Sequence, residues 1–328
     1  MDRVDRAVIL VAALASICLV SACGGGGDPA QTAPAPRPRS SSFPLDPKVQ
    51  DAGTQGDVHQ EQITYTSSDG SRVPALLSIP TQTAPHGCLM YQGGLGQRRE
   101  EFPSIREGAA RVGLATFTIE PRNTGERGGT ARLREVMQSP KAIAAMLTGS
   151  AMDLERGVDY LETRPECHHD IGYLGTSFGA RIGVLAAGAD GRIRAVALTS
   201  LGATYKEAIL ANNQAARSDP EVPEVILPGI DRDPARLAEA VRVLSPYDPA
   251  RWVPKISPRP LMLVNGRFDP ITTPSDALQL AAAAQEPRTI LYFDGGHNPF
   301  APGPDQHLVD EQIARFFCAY LGNCPTAF

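Results

Sequence analysis

Basic residues are neither in excess nor clustered in this sequence. Its 328 residues include 31 Lys and Arg against 36 Asp and Glu, which gives a net charge of −5 at pH 7. Without a basic run, the chain lacks the positive patch that binds nucleic acids or an anionic membrane surface. No internal repeat is evident either, so a repeat architecture is not indicated. We therefore expect no nucleic-acid partner.

The N-terminus also lacks an apolar run long enough to cross a bilayer. The run at residues 8–20 is about 13 residues long, and a helix that spans a bilayer needs roughly 20. Arg3 and Arg6 precede this run, which ends in the sequence VSAC at residues 20–23. This order is typical of a signal peptide, which we predict over residues 1–22.

The small residues before Cys23 resemble the lipobox of bacterial lipoproteins, in which the cysteine becomes the acylated N-terminus. The resemblance implies a lipid on Cys23 that anchors the protein to a bacterial membrane. Gly24 follows the cysteine, in place of the aspartate that typically retains a lipoprotein in the inner membrane. The implied location is therefore the cell envelope, at the outer membrane and facing the periplasm or the surface. The alternative is an ordinary signal peptide cut near Ala22.

Large apolar residues are scarce between the signal peptide and the rest of the chain. Residues 23–57 are rich in Gly, Pro, Ser and Gln, so they cannot bury enough surface to offset the entropy of ordering. We predict a flexible linker there. Residues 58–328, about 270 residues, then form one domain, a length that suits a single α/β domain with a sizeable core.

Short apolar runs alternate with helix-like stretches along this domain. A predicted β-hairpin over residues 62–79 comes first, and βαβ units follow it. The alternation predicts an α/β fold with a mostly parallel sheet and helices on both faces. The pattern breaks at about residues 203–255, where prolines are frequent. We interpret this segment as a small cap over the carboxyl ends of the strands, where open α/β sheets bind ligands.

The sequence GTSFG at residues 175–179 matches the G-x-S-x-G pattern of a nucleophilic serine on a sharp turn. An apolar, strand-like run at residues 171–174 leads into it, and a helix-like run at residues 180–187 follows it. Strand, tight turn and helix form the context that this chemistry requires. We therefore predict that Ser177 is a nucleophile. The alternative is a glycine-rich connection with an idle serine.

A serine hydroxyl needs a base within hydrogen-bond reach, and the base needs an acid that orients it. His297 and Asp269 follow later predicted strands, in the chain order Ser, Asp, His of α/β-hydrolases. Both therefore fall at the sheet edge that presents Ser177. The other histidines lie before the sheet, at its opposite end or in a helix, and Asp294 competes weakly with Asp269 for the role of the acid.

An oxyanion hole needs two N–H donors. Phe178, which follows the nucleophile, is one candidate. The loop QGGLG at residues 92–96 follows an early predicted strand, and its Gly94 is the second candidate. Glycine lets the backbone approach the substrate oxygen closely. The alternative is a simple glycine turn.

These motifs together resemble the α/β-hydrolase superfamily, in the branch of dienelactone hydrolases, acetyl xylan esterases and prolyl-oligopeptidase-like hydrolases. The resemblance covers most of residues 62–321 and rests on DLERGVDYL at 153–161, IGYLGTSFG at 171–179, RFDP at 267–270 and GH at 296–297. It implies an eight-stranded, mostly parallel sheet. It also assigns the nucleophile, acid and base to the three side chains already singled out, Ser177, Asp269 and His297.

The resemblance implies a serine hydrolase without metal or cofactor that cleaves small-molecule carboxylic esters through an acyl-enzyme. Dienelactone hydrolases have a cysteine as nucleophile, so a dienelactone substrate is not indicated. Many relatives have His-Gly at the oxyanion loop, where this chain has Gln92 and Gly93. The alternatives are a peptidase, amidase or acyltransferase of the same fold, or a surface lipoprotein that binds without catalysis.

Four cysteines remain after the signal peptide and the lipidated Cys23, namely Cys88, Cys167, Cys318 and Cys324. An even number in an exported protein indicates disulfides, and four cysteines allow three pairings. The strand order of the resembled fold puts Cys88 and Cys167 at the starts of neighbouring parallel strands. It thereby implies the pairs Cys88–Cys167 and Cys318–Cys324. The alternative is four buried thiols.

Overall fold

A computed structural model describes residues 41–82, 85, 87–167, 169–220 and 222–321. The predicted signal peptide, Cys23 and the first part of the predicted linker lie outside these residues. Cys324 does so as well, so its pairing with Cys318 stays a prediction.

Strands and helices alternate along most of the described chain. The strands are β1 Lys48–Gln55, β2 Val58–Thr66, β3 Arg72–Pro80, β4 Gly87–Gln92, β5 Leu114–Ile119, β6 Ile171–Thr176, β7 Ile193–Thr199, β8 Leu261–Gly266 and β9 Arg288–Phe293. The helices are α1 Pro103–Arg111, α2 Gly129–Val136, α3 Pro140–Leu161, α4 Phe178–Ala189, α5 Tyr205–Ser218, α6 Pro234–Leu244, α7 Pro249–Trp252, α8 Pro274–Ala283 and α9 Gln306–Leu321.

Within the described residues, nine strands form one sheet in the order β1-β2-β3-β5-β4-β6-β7-β8-β9. The pairs from β5 to β9 are all parallel, and the first three strands add antiparallel pairs at one end. The predicted α/β class with a mostly parallel sheet is confirmed. Each parallel pair is joined through helical segments, as parallel strands require.

The predicted number of eight strands was wrong by one, because β1 lies inside the predicted linker. Lys48–Gln55 pairs antiparallel with β2, and all its side chains are exposed. A strand held by main-chain hydrogen bonds, with no buried face, has no apolar alternation in its sequence. The linker prediction was therefore wrong for this part of residues 23–57.

The core has two halves, one on each face of the sheet. Neighbouring side chains of β4 alternate between them: Cys88 and Met90 pack in one half, and Leu89 and Tyr91 pack in the other. Helices α3 and α4 cover the first face, and α1 and α9 cover the second. Both faces of the central strands are buried, which explains why most residues of these strands are apolar.

Local signals explain where several helices begin. The side chains of Ser139, Thr204, Asp233 and Thr273 each accept a hydrogen bond from a backbone N–H of the first turn of a helix, α3, α5, α6 and α8 respectively. These caps satisfy donors that have no partner inside the helix. Three of the four are followed by proline, whose fixed φ suits the first helical position.

The predicted cap, residues 203–255, lies in the connection from β7 to β8 and contains α5, α6 and α7. No helix in the described part of the chain is long and apolar enough to cross a membrane.

The predicted disulfide Cys88–Cys167 is present, with the two Cα atoms 4.8 Å apart. Cys88 lies on β4 and pairs in register with Ile171 on the adjacent parallel strand β6. The bridge therefore lies where these two strands start, at the sheet edge opposite Ser177.

Candidate active site

Ser177 occupies the turn between β6 and α4, with φ of 55° and ψ of −111°. Its N–H donates to the carbonyl oxygen of Thr199 at the end of β7, at 2.9 Å. The turn leaves no room at its glycines. A Cβ atom on Gly179 would lie 2.0 Å from the carbonyl oxygen of Gln92, and one on Gly175 would lie 2.7 Å from that of Gly179. A positive φ at a serine is a strained conformation found at functional sites.

The structure brings the three predicted catalytic side chains into one hydrogen-bonded row. His297 Nε2 lies 2.8 Å from Ser177 Oγ, and His297 Nδ1 lies 2.8 Å from Asp269 Oδ2. The carboxylate of Asp269 is buried. Its second oxygen accepts hydrogen bonds from the N–H groups of Ile271 and Thr272, each at 2.8 Å. Asp269 is thus held in place from both sides.

Two residues that sequence reasoning missed support this row. Ser200, just after β7, donates its hydroxyl to the carbonyl oxygen of His297. Thr272 donates its hydroxyl to the carbonyl oxygen of Ser200, at 3.1 Å. Their only sequence signal is that both follow the ends of strands, like the catalytic candidates. Asp294, the weaker candidate for the acid, instead forms an exposed ion pair with Arg267, at 2.9 Å.

The oxyanion candidates flank Ser177, but one of them is already engaged. Phe178 is the first residue of α4, where a backbone N–H has no partner within the helix. A Cβ atom built on Gly94 would lie 3.9 Å from Ser177 Cβ, so Gly94 is beside the nucleophile. Its N–H donates to the side-chain Oε1 of Gln97, at 2.6 Å. Sequence reasoning missed Gln97, a polar residue after a glycine-rich loop.

Ser177 opens into a cavity of about 480 Å³. The cap supplies one wall through α5 and the segment after it, and the loops after β4 and β8 supply others. Most of the lining side chains are apolar or aromatic, among them Phe102, Ile105, Met137, Ile143, Tyr205, Ala208, Val225, Ile226, Ile271 and Phe300. The volume suits a small organic molecule.

Burial has the largest effect on the pKa values of two aspartates near Arg181, a residue that lines this cavity. Arg181, on α4, is 7% exposed, and its guanidinium lies 4.6 Å from the ring centre of Tyr205. Burial raises the pKa of Asp248 to about 6 and also raises the pKa of Asp276, while the charge of Arg181 acts in the opposite direction on both.

In the part of the chain that the structure describes, no group of three or more His, Cys, Asp or Glu side chains is placed to hold a metal ion. The hydrogen bonds of His297 with Ser177 and Asp269 are suited to nucleophilic attack by a hydroxyl with a histidine as base.

No protein-family model and no curated protein matches this sequence. Solved structures do resemble it. An acetyl xylan esterase from Paenibacillus sp. R4 is 22% identical, with a TM-score of 0.67 over 85% of this chain and 90% of that one. Acetyl xylan esterase 1 from Thermoanaerobacterium sp. JW/SL YS485 is 15% identical, with a TM-score of 0.64 over 85% and 89%.

A cold-adapted esterase from an Arctic intertidal metagenomic library is 16% identical, with a TM-score of 0.57 over 84% of this chain and 99% of that one. At these identities the likeness concerns the fold, and fold alone does not carry function. The chain has the α/β-hydrolase fold.

Proposed function

We propose that this protein is a serine hydrolase that cleaves carboxylic esters. The observation that carries the proposal is the row of hydrogen bonds from Ser177 Oγ through His297 to Asp269, each at 2.8 Å. A nucleophile, a base and an orienting acid at these distances are the parts that acyl transfer through a serine needs. Ser177 and His297 also line the cavity of about 480 Å³, whose volume suits a small ester, and this adds support to the proposal.

In the proposed first half-reaction, Ser177 Oγ attacks the ester carbonyl carbon while His297 Nε2 takes the hydroxyl proton. Asp269 keeps the imidazole in the tautomer with a proton on Nδ1 and stabilises the imidazolium. The C–O bond to the alcohol then breaks, and His297 returns the proton to the leaving alkoxide. Water, activated by the same histidine, attacks the acyl-enzyme and releases the acid.

The negative charge on the substrate oxygen is assigned to the N–H groups of Phe178 and Gly94. Phe178 is at the start of α4, whose positive dipole end also favours an anion. Gly94 can donate only after Gln97 withdraws its side-chain oxygen. The proposed mechanism therefore includes a side-chain movement on substrate binding.

Ester hydrolysis is favoured over amide hydrolysis by the kind of proteins that share the fold. Three structural neighbours are named as esterases, two of them acetyl xylan esterases. An alkoxide leaves a tetrahedral intermediate more readily than an amine does. The activation barrier at the same site is therefore lower for an ester than for an amide.

The test compares p-nitrophenyl acetate with p-nitroacetanilide, which share the acetyl group and release related chromophores. We expect rapid hydrolysis of the ester and slow or undetectable hydrolysis of the anilide. The His297→Ala variant is expected to lose on the order of 10³-fold in kcat on the ester. Equal turnover of the anilide would indicate an amidase, and turnover of neither compound would contradict the proposal.

A further inference from the structure

A buried arginine lines the same cavity as the nucleophile. Arg181 is 7% exposed, and it borders the cavity together with Ser177 and Tyr205. Its Nη1 atom has no hydrogen-bond partner in the described residues. A buried, charged donor without a partner is costly, and native proteins rarely keep one without a role. The proposed mechanism does not use this residue.

No carboxylate among the described residues compensates Arg181 by direct contact. Asp248 and Asp276 are near enough for its charge to act on them, but neither forms an ion pair with it, and neither lines the cavity. Glu101 does line the cavity, but it forms no ion pair with Arg181. The guanidinium carbon instead lies over the Tyr205 ring, 4.6 Å from its centre. This cation–π contact attracts the charge, while Nη1 still lacks an acceptor.

Arg181 and Ser177 face the same cavity. The Arg181 N–H donates to the carbonyl oxygen of Ser177, the residue that precedes α4, at 3.0 Å. Both side chains line the cavity of about 480 Å³. A group bound by the guanidinium therefore lies in the same cavity as the carbonyl that Ser177 attacks.

We propose that Arg181 binds a carboxylate of the substrate, so that the preferred ester carries a negative charge. The planar guanidinium matches a carboxylate with two parallel N–H donors, and the low dielectric of a buried site strengthens the pair. This inference rests on the proposed ester hydrolase and names its substrate class. The carboxylate belongs either to the acyl part or to the alcohol part of the ester.

Two pairs of substrates test the inference on the unmodified protein. Monoethyl glutarate and ethyl valerate differ by a carboxylate on the acyl part, and 4-acetoxybutanoate and butyl acetate differ by one on the alcohol part. We expect kcat/KM for the charged member of one pair to exceed that for the neutral member by at least about tenfold. Absence of a preference in both pairs overturns the inference, even if every ester is cleaved.

Variants test whether Arg181 causes the preference for the charged esters. Arg181→Met is expected to bring the charged-to-neutral ratio down to about one, and Arg181→Lys, which keeps the charge without the fork, to retain part of it. Arg106→Met is the matched control, because Arg106 is also 7% exposed but is not among the lining residues. An unchanged charged-to-neutral ratio in Arg181→Met would contradict the assignment of the carboxylate to Arg181. If that variant does not fold, the charged-to-neutral ratios of the wild type decide whether the inference holds.

A binding measurement separates this inference from the proposed function. Calorimetric titration of the wild-type protein with glutarate measures binding of a carboxylate at Arg181 without any turnover. Glutarate binding that Arg181→Met abolishes, with no ester cleaved, supports the carboxylate site and contradicts the ester hydrolase. Cleavage of neutral esters without glutarate binding or charge preference supports the hydrolase and overturns the carboxylate site.

Discussion

The backbone N–H of Gly94 donates to the side-chain oxygen of Gln97, at 2.6 Å, beside the nucleophile. An amide oxygen thus holds the donor that the proposed mechanism gives to the carbonyl oxygen of the substrate. The two acceptors are chemically alike, so they compete for one N–H group. In the proposed mechanism, substrate binding displaces Gln97, and the strength of this contact then sets part of the affinity for substrate.

Replacement of Gln97 is the first prediction. Gln97→Ala removes the competitor and is expected to lower KM a few-fold. Gln97→Glu places a carboxylate at the same N–H group, and such charge-assisted hydrogen bonds are about twice as strong as neutral ones. We therefore expect kcat/KM to fall in Gln97→Glu, and more so as the pH rises and the carboxyl ionises. Steady-state kinetics from about pH 4 to pH 8 measure this.

The control for this charge change is Gln279→Glu, at an exposed position of α8. It is expected to behave like the wild type at every pH. A loss of activity in Gln97→Ala would instead show that the side chain supports the oxyanion loop.

The disulfide Cys88–Cys167 is the subject of the second prediction. It links residues 79 apart in the sequence. The chain-entropy account gives a stabilisation of about 4.5 kcal/mol for a loop of this length. We expect the double variant Cys88→Ala/Cys167→Ala to unfold at a clearly lower urea concentration while it keeps activity at low temperature, because the bridge lies away from Ser177. An unchanged unfolding midpoint would contradict a stabilising role.

The third prediction concerns the pH dependence of stability. Burial raises the pKa of Asp248 to about 6, so the folded state holds its proton more tightly than the unfolded state does. Ionisation of Asp248 therefore lowers the free energy of unfolding as the pH rises from the ordinary pKa of an aspartate to about 6. The loss of stability remains at every pH above about 6.

Asp248→Asn tests that sign. An asparagine keeps an oxygen for the N–H of Tyr205, which donates to Asp248 at 2.7 Å, and it cannot ionise. We expect the variant to melt at a higher temperature than the wild type at about pH 8 and at nearly the same temperature at about pH 4. A variant that is less stable at the higher pH would show that the charge of Asp248 is favourable.

The membrane anchor is the fourth prediction, because Cys23 lies outside the described residues. Full-length protein expressed in a bacterium is expected to partition into detergent with acyl chains on Cys23. More than one chain is expected, since a single chain binds a membrane only marginally. Mass spectrometry of the N-terminal peptide measures this, and Cys23→Ala serves as the control. An unmodified N-terminus in the medium would contradict the anchor.

Local patterns were sufficient to predict the centre of the fold. The run before Ser177 is apolar because β6 is buried on both faces, and the motif glycines pack where no side chain fits. Such constraints act within a few residues, so the sequence shows them. Helix α6 likewise begins at local signals, the Asp233 side chain that caps it and the proline that follows.

Three features that depend on distant contacts were not predicted from the sequence. Strand β1 is polar and exposed, and only its pairing with β2 makes it a strand. Arg181 lies in an apolar helical run, where an arginine normally indicates the face toward solvent, and the cap that covers it comes later in the chain. The contact of Gln97 with Gly94 depends on a side-chain conformation that no sequence pattern specifies.

The central claim is that Ser177 is the nucleophile of an ester hydrolase, and its most direct test is the reaction of Ser177→Ala with p-nitrophenyl acetate and a fluorophosphonate. We expect the variant to keep the fold, but it has no hydroxyl for His297 to activate. We predict a fall in kcat on the order of 10³-fold or more, and fluorophosphonate labelling of the wild type at Ser177 that is absent in the variant. Turnover close to wild type in a folded Ser177→Ala protein would contradict the account.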